Sequence, residues 1–260
     1  MPGHIRISRS DASACVELAN PGKLNAIDLG MWRELAEAMR ALGADPALRS
    51  IVIRGEGEEA FAAGGDIEEF KSSRATLQQA MDYHEGAVAP ALQAIAECPL
   101  PTLAMIHGAC IGGGLEIACC CDFRIAGEAA KFGAPINRLG FSMYPGEMRR
   151  VLSVATPAVA AEILLEGRIL SAAEAMARGL LTRVVADAGL AGEIAATQKR
   201  IAQGAPLVAR WHKQWMRRLA DPAPLSEAEQ RASFAFLESE DYREGLAAFI
   251  EKRKPEFRGR

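Results

Sequence analysis

The chain has 260 residues, 50% hydrophobic and 24% charged, enough to bury a large core as one α/β domain or as one domain with an appendage. Its formal net charge is −3, with acidic and basic residues interspersed, so there is no basic surplus of the kind that marks nucleic-acid or membrane-surface binding. Met1 to Arg9 carries charges and no apolar core of signal-peptide length, and no apolar run approaches the roughly 18 residues of a spanning helix, so a cytoplasmic location is expected.

Two short strand-like runs, Ile5 to Ile7 and Ala14 to Leu18, flank Ser10-Asp11-Ala12-Ser13 and read as a hairpin. Asn20-Pro21-Gly22-Lys23 is a turn. Asp28 then caps a helix whose apolar residues Trp32, Leu35, Met39 and Leu42 recur at spacings of three and four, ending at Gly43. Ile51-Val52-Ile53 reads as a strand covered on both faces, which completes a first βαβ unit. A long helical pattern runs from about Thr76 to Glu97, closed by Cys98-Pro99-Leu100-Pro101, and Thr102 to His107 is the next strand. Three of the six cysteines, Cys119, Cys120 and Cys121, are adjacent, which suits neither a disulfide framework nor metal-ligand spacing and reads as small buried hydrophobes.

Two glycine-containing turns carry the chemistry. Ala60-Phe61-Ala62-Ala63-Gly64-Gly65-Asp66-Ile67 leads into a helix capped by Asp66, and Ile106-His107-Gly108-Ala109-Cys110-Ile111-Gly112-Gly113-Gly114-Leu115-Glu116 passes from strand to turn to helix. The first amides of a helix lack intrahelical partners and carry the positive end of its dipole, so such turns can offer backbone N–H groups to a developing negative charge. Two of them at the carboxyl ends of parallel strands form an oxyanion hole in outline. Glu116, flanked by Leu115 and Ile117 in the first helical turn, is placed to act as an acid or base, its pKa raised by burial. The same glycines also read as close-packing residues, and Glu116 as a helix-start residue favoured by the dipole. The histidines His4, His84, His107 and His212 lack metal-ligand spacing, Ser142 lacks a nucleophile-elbow context, and no phosphate or dinucleotide fingerprint is present.

Taken together, residues 60 to 67, 106 to 116, Cys121-Asp122-Phe123-Arg124-Ile125-Ala126, Phe132-Gly133-Ala134-Pro135, Gly179-Leu180-Leu181 and the ending Phe249 to Phe257 resemble the enoyl-CoA hydratase/isomerase (crotonase) family, in order and spacing over essentially the whole chain. The resemblance implies an α/β fold with a core of repeated ββα units over residues 1–195 and a helical oligomerisation region over 196–260. It implies an acyl-CoA thioester substrate, with Gly65 and Gly113 as the two amides that hold the enolate oxygen and Glu116 as one catalytic carboxylate. Lys23, Leu24, Ala26, Ala63, Gly64, Asp66, Ile67, Ile136, Phe249 and Lys252 are the further acyl-CoA-binding positions. It also implies a homotrimer or a hexamer made of two trimers, no nucleic-acid or membrane partner, and no cofactor beyond the coenzyme A of the substrate.

At one position the chain departs from the family pattern. The second hydratase carboxylate follows the proline of the Phe-Gly-x-Pro motif, and here that residue is Ile136. Hydration asks for one group to hold and deprotonate water and another to protonate the α-carbon, and an isoleucine does neither. Weak hydration of short enoyl-CoA is therefore expected unless another group has taken over, with Glu147, Tyr144, Glu68 and Glu69 as candidates; each also reads more simply as a solvated side chain or helix cap. An enoyl-CoA hydratase is the leading reading, an isomerase, lyase, decarboxylase or hydrolase of the same family the second, and an acyl-CoA-binding scaffold a third. Beyond this region, Ser171-Ala172-Ala173-Glu174 is a capping box for a helix ended by Gly179, and Val184-Val185 is a last short strand. The C-terminal helices carry Trp211, Trp215, Phe234, Phe236, Leu237 and Phe249, too much apolar surface for so few helices to enclose.

Overall fold

The computed structural model describes residues 2–260. Its ten strands form two sheets. The larger has the order β1 (His4–Ser10), β2 (Ser13–Ala19), β3 (Ser50–Gly55), β5 (Thr102–Ile106), β7 (Phe123–Gly127) and β10 (Arg183–Val185). Only β1 is antiparallel to its neighbour, which confirms the hairpin, while every later pairing is parallel. The smaller sheet has the order β4 (Ala60–Ala62), β6 (Ala109–Ile111), β8 (Lys131–Gly133) and β9 (Ile169–Ser171), with β9 antiparallel.

Each ββα unit places one strand in each sheet: β3 is followed by β4, β5 by β6, and β7 by β8. This corrects the reading of Thr102 to His107 as the strand that enters the glycine turn. That strand ends at Ile106, the chain bends at Gly108, and β6 intervenes. Gly108 has φ of +52°, and a Cβ there would sit 1.8 Å from the Glu59 carbonyl oxygen, so the bend admits no side chain.

The large sheet is apolar on both faces because its middle strands are covered on both. Ile51 and Ile53 join the main core with Trp32, Leu35 and Met39, whereas Val52 faces Leu103, Met105 and Ile125 under Leu190 and Ile194. The helix Leu29–Gly43 starts as read from the sequence: the Asp28 carboxylate accepts from the Met31 N–H at 2.8 Å and from the Gly3 N–H at 2.9 Å. The Ser171 capping box is present too. The long helical pattern is helical from Leu77 to Ala96, but its middle, His84–Val88, is a π-helical turn. The adjacent cysteines are free and buried, and loss of hydration pushes the Cys119 and Cys121 thiols up to about 12.

The helix Leu190–Ala202 runs through residue 195 and packs on the large sheet. Beyond it, the helix Pro206–Arg218 is anchored by Lys213, which is only 4% exposed. Its ammonium reaches the Asp122 carboxylate at 2.7 Å and donates to the Leu100 carbonyl at 2.8 Å. Trp211, Trp215 and Phe236 are half-buried, whereas Phe234, Leu237, Phe249 and Ile250 stay exposed. No helix among the described residues is long and apolar enough to cross a membrane.

Lys213→Met removes the cation and leaves both acceptors short of a donor. It should lower stability by about 2 kcal/mol, below the usual cost of breaking a buried pair because Asp122 keeps its bonds from Thr102. The check is a urea midpoint that falls while the denaturant slope stays constant.

Candidate active site

Because β4 and β6 pair in parallel, Ala60 beside Ala109 and Ala62 beside Cys110, the two glycine turns leave the small sheet side by side. Gly64 with φ of +108° and Gly112 with φ of +49° turn the chain in conformations that side chains resist. The turns nearly touch: a Cβ on Gly64 would lie 3.5 Å from the Ile111 carbonyl oxygen and 3.9 Å from the Gly113 nitrogen.

Gly65 is bridged to Ile27 through its neighbours. The Ile27 N–H donates to the Gly64 carbonyl at 2.7 Å and the Asp66 N–H to the Ile27 carbonyl at 2.9 Å, so the Gly65 N–H faces the opposite side. Gly113 is the first residue of the helix Gly113–Cys120, where amides have no intrahelical acceptor. Among the described residues neither the Gly65 nor the Gly113 N–H has a protein acceptor.

Both amides border a cavity of about 240 Å³ whose wall is largely apolar, with Trp32, Phe70, Tyr83, Ile136 and Phe141 prominent. Glu116, one turn along the helix from the Gly112–Gly113 corner, also lines it, 6% exposed and without a hydrogen-bond partner among the described side chains. Burial pushes its carboxyl well above the ordinary value, the charge of Glu147 pushes it further, and Arg74 opposes both. The Arg74 guanidinium lies over the Phe70 ring at 4.2 Å and the Phe141 ring at 4.6 Å at the same cavity.

Of the positions singled out in the sequence, Ala63, Gly64, Gly65, Ile67, Gly113, Glu116, Ile136 and Glu147 line this cavity together. Lys23, Leu24, Ala26, Asp66, Tyr144, Phe249 and Lys252 do not. Lys23 pairs with Asp66 and Glu68, each at 2.7 Å, and Asp66 caps the short helical turn that follows, as expected. Leu24 takes a left-handed turn and its carbonyl accepts from the Ala63 N–H at 3.0 Å, while Ala26 is buried beside it. Phe249 is 84% exposed on the last helix, and Lys252 is its left-handed cap.

The candidates for a replacement carboxylate separate clearly. Glu68 is solvated, and Glu69 accepts from the Leu29 N–H at 2.8 Å, both in line with the simpler reading. Tyr144 directs its hydroxyl to Glu85, away from the cavity. Glu147 is not solvated: it is 6% exposed and hydrogen-bonded to His84 Nδ1, which is itself 7% exposed. Sequence reasoning set His84 aside for want of metal-ligand spacing, read Trp32 only as a core residue of its helix, and did not single out Tyr83 or Arg74. One signal was available, since His84 falls on the apolar stripe of Val88, Ala91 and Ile95, and a titratable group on such a stripe needs a buried partner.

The raised Glu116 pKa makes a stability prediction with a definite sign. In the unfolded chain this carboxyl ionises near its ordinary 4.5, whereas the folded protein retains the proton to higher pH. Stability from this group is therefore complete below 4.5 and is lost as pH rises towards the folded value. Glu116→Gln, which cannot ionise, should gain stability relative to the parent between pH 5 and pH 8. Urea midpoints of both proteins at the two pH values measure the difference.

The comparisons agree with one another. The family profile described as Enoyl-CoA hydratase/isomerase matches residues 8–260. A probable enoyl-CoA hydratase of Rhizobium meliloti (strain 1021) is 37% identical over 251 residues, 94% of each chain, and a crotonyl-CoA hydratase of Syntrophomonas wolfei is 31% identical over 98% of this chain and 97% of that one. Among solved structures, an enoyl-CoA hydratase/carnithine racemase from Magnetospirillum magneticum is 49% identical with a TM-score of 0.96, covering 98% of this chain and 96% of its own. With the two-sheet ββα core and the paired glycine turns in place, the chain belongs to the enoyl-CoA hydratase/isomerase family.

Proposed function

We propose that the protein is an enoyl-CoA hydratase. The observation that carries the reading is the pair of unpartnered amides, Gly65 and Gly113, bordering the same apolar cavity as the buried Glu116. A thioester carbonyl placed between the two N–H groups gains most when its oxygen becomes an enolate, because the donors are fixed in advance and little water competes with them. The α,β-double bond of an enoyl thioester is polarised by the same contact. Glu116, protonated because burial disfavours its charge, then delivers a proton to the α-carbon of the enolate.

The rest of the acyl-CoA follows from this placement. The acyl chain lies against Trp32, Phe70 and Ile136, and coenzyme A leaves past Ala63, Gly64 and Ile67 towards the Lys23–Ala26 loop. The reaction moves protons and no net electrons, so its chemistry requires no cofactor beyond the coenzyme A of the substrate. The uncovered apolar residues Phe234, Leu237, Phe249 and Ile250 support a homotrimer or a hexamer of two trimers, with residues 196–260 as the oligomerisation region and Phe249 and Lys252 closing over coenzyme A. The absence of a basic surplus supports neither nucleic-acid nor membrane partners, and we place the protein in the cytoplasm. Ile136 in the cavity wall favours a second reading, an isomerase that moves the double bond by one carboxylate.

Turnover of crotonyl-CoA, followed as loss of the conjugated thioester absorbance, tests the main reading, and 3-hydroxyacyl-CoA as product separates hydration from isomerisation. Glu116→Gln should reduce kcat by about 10² to 10⁴ with acyl-CoA binding largely intact, and near-parental turnover would sink the role.

Gly113→Pro removes one donor at a helix position that tolerates proline, although its added Cβ would meet the Trp32 ring at 3.0 Å. A folded variant should lose roughly 10²-fold or more in kcat.

A further inference from the structure

His84 and Glu147 form a second ionisable pair at the same cavity, and the mechanism above makes no use of it. His84 opens the π-helical turn His84–Val88, and Glu147 lies in the first turn of the helix Pro145–Leu152. Nδ1 of the imidazole is bonded to the Glu147 carboxylate. The ring is stacked on Tyr144, centroids 5.0 Å apart and planes 18° from parallel, and it meets the edge of Tyr83 at 5.1 Å. These contacts leave one polar atom, Nε2, which has no hydrogen-bond partner among the described residues yet is not sealed from solvent. His84, Glu147 and Glu116 all line the cavity, as does Ile136. A histidine held through Nδ1 by a buried carboxylate presents Nε2 as a base in a fixed tautomer and stabilises the imidazolium that forms.

We propose that His84, oriented by Glu147, binds and deprotonates the water that adds to the enoyl thioester, doing the work for which position 136 has no carboxylate. The proposal rests on the hydratase reading. One water O–H bond breaks and its proton passes to Nε2 as the oxygen bonds to Cβ. The alkene pair moves onto the thioester oxygen at Gly65 and Gly113, and the enolate then collapses by taking the Glu116 proton at Cα. The proton on His84 returns to the Glu116 carboxylate through cavity water, so water is the only co-reactant. Glu147 touches no reacting atom and is a positioning residue. The apolar Ile136 wall fits this arrangement, since it offers the water no competing partner in the cavity that His84 also lines.

The experiment measures two reactions of the full-length protein: hydration of crotonyl-CoA, and exchange of the α-protons of butyryl-CoA in D₂O, which needs the two amides and Glu116 but no added water. His84→Ala should lower kcat for hydration by about 10² to 10³ with KM within a few-fold, and lower exchange by at least ten-fold less than hydration. Added imidazole should restore hydration by roughly ten-fold or more. His84→Gln, which keeps a polar partner for Glu147, covers the case in which the alanine variant does not fold, and should show the same split.

The charged groups around that ring are Glu147 on its own bond, Glu116 in the wall of the same cavity, and Glu85 and Arg74 against the two tyrosines that pack on it. Glu147→Gln loosens the hold on the ring, so kcat for hydration should fall about 10-fold or more while α-proton exchange falls less, the same split as at His84. Unchanged hydration in both His84 variants, or equal loss of hydration and exchange without imidazole rescue, would overturn the proposal. A parent protein that neither hydrates nor exchanges would instead overturn the hydratase reading itself.

Discussion

Two glycine turns have to lie against each other for the site to exist, and that proximity is a property of the backbone. The parallel pairing of β4 with β6 holds the turns side by side, glycine at 64 and 112 takes the positive φ that the turns need, and Gly114 admits the Ala62 backbone, whose carbonyl oxygen a Cβ would approach to 2.4 Å. Parallel strands send both chain ends in one direction, so the two following amides emerge on one side of the small sheet. The large sheet fixes β3 and β5 beneath them, and the bend at Gly108 carries the chain from one sheet to the other.

Around these amides the protein keeps ionisable groups in surroundings that disfavour charge. Glu116 has apolar neighbours on its own helix and answers by holding its proton, since a neutral carboxyl costs far less to bury than an ion. His84 and Glu147 meet the same cost in another way, by bonding to each other. The Arg74 guanidinium is carried on two aromatic faces, where a ring quadrupole replaces part of the lost water. Three solutions to one desolvation problem thus share a single cavity.

Helix irregularity contributes to the same arrangement. The π-helical turn at His84–Val88 widens the backbone where the helix passes the cavity, and both Tyr83 and His84 contribute to the wall there. Tyr83 accepts a hydrogen bond from the Trp32 indole at 3.2 Å, linking this wall to the helix Leu29–Gly43. A Cβ on Gly65 would approach the Tyr83 hydroxyl to 3.0 Å and one on Gly113 the Trp32 ring to the same distance, so the aromatic wall and the two amides are packed as one unit.

Much of this was legible in the order of residues. Asp28 and Ser171 announce helix starts by capping chemistry that acts over three residues, the β1–β2 hairpin spans a short turn, and the glycine runs at 64–65 and 112–114 with Glu116 after them mark the turns and the carboxylate. All of these are local, so sequence spacing suffices. The small sheet was not legible, because strands of three residues show no alternation and are strands only by virtue of partners far along the chain. Nor was the pairing of His84 with Glu147, 63 residues apart, which turned an apparently solvated glutamate into a buried one. Propensity and capping are settled within a turn of helix, whereas burial and the protonation of Glu116 depend on which distant segments exclude water, and only the tertiary structure decides that.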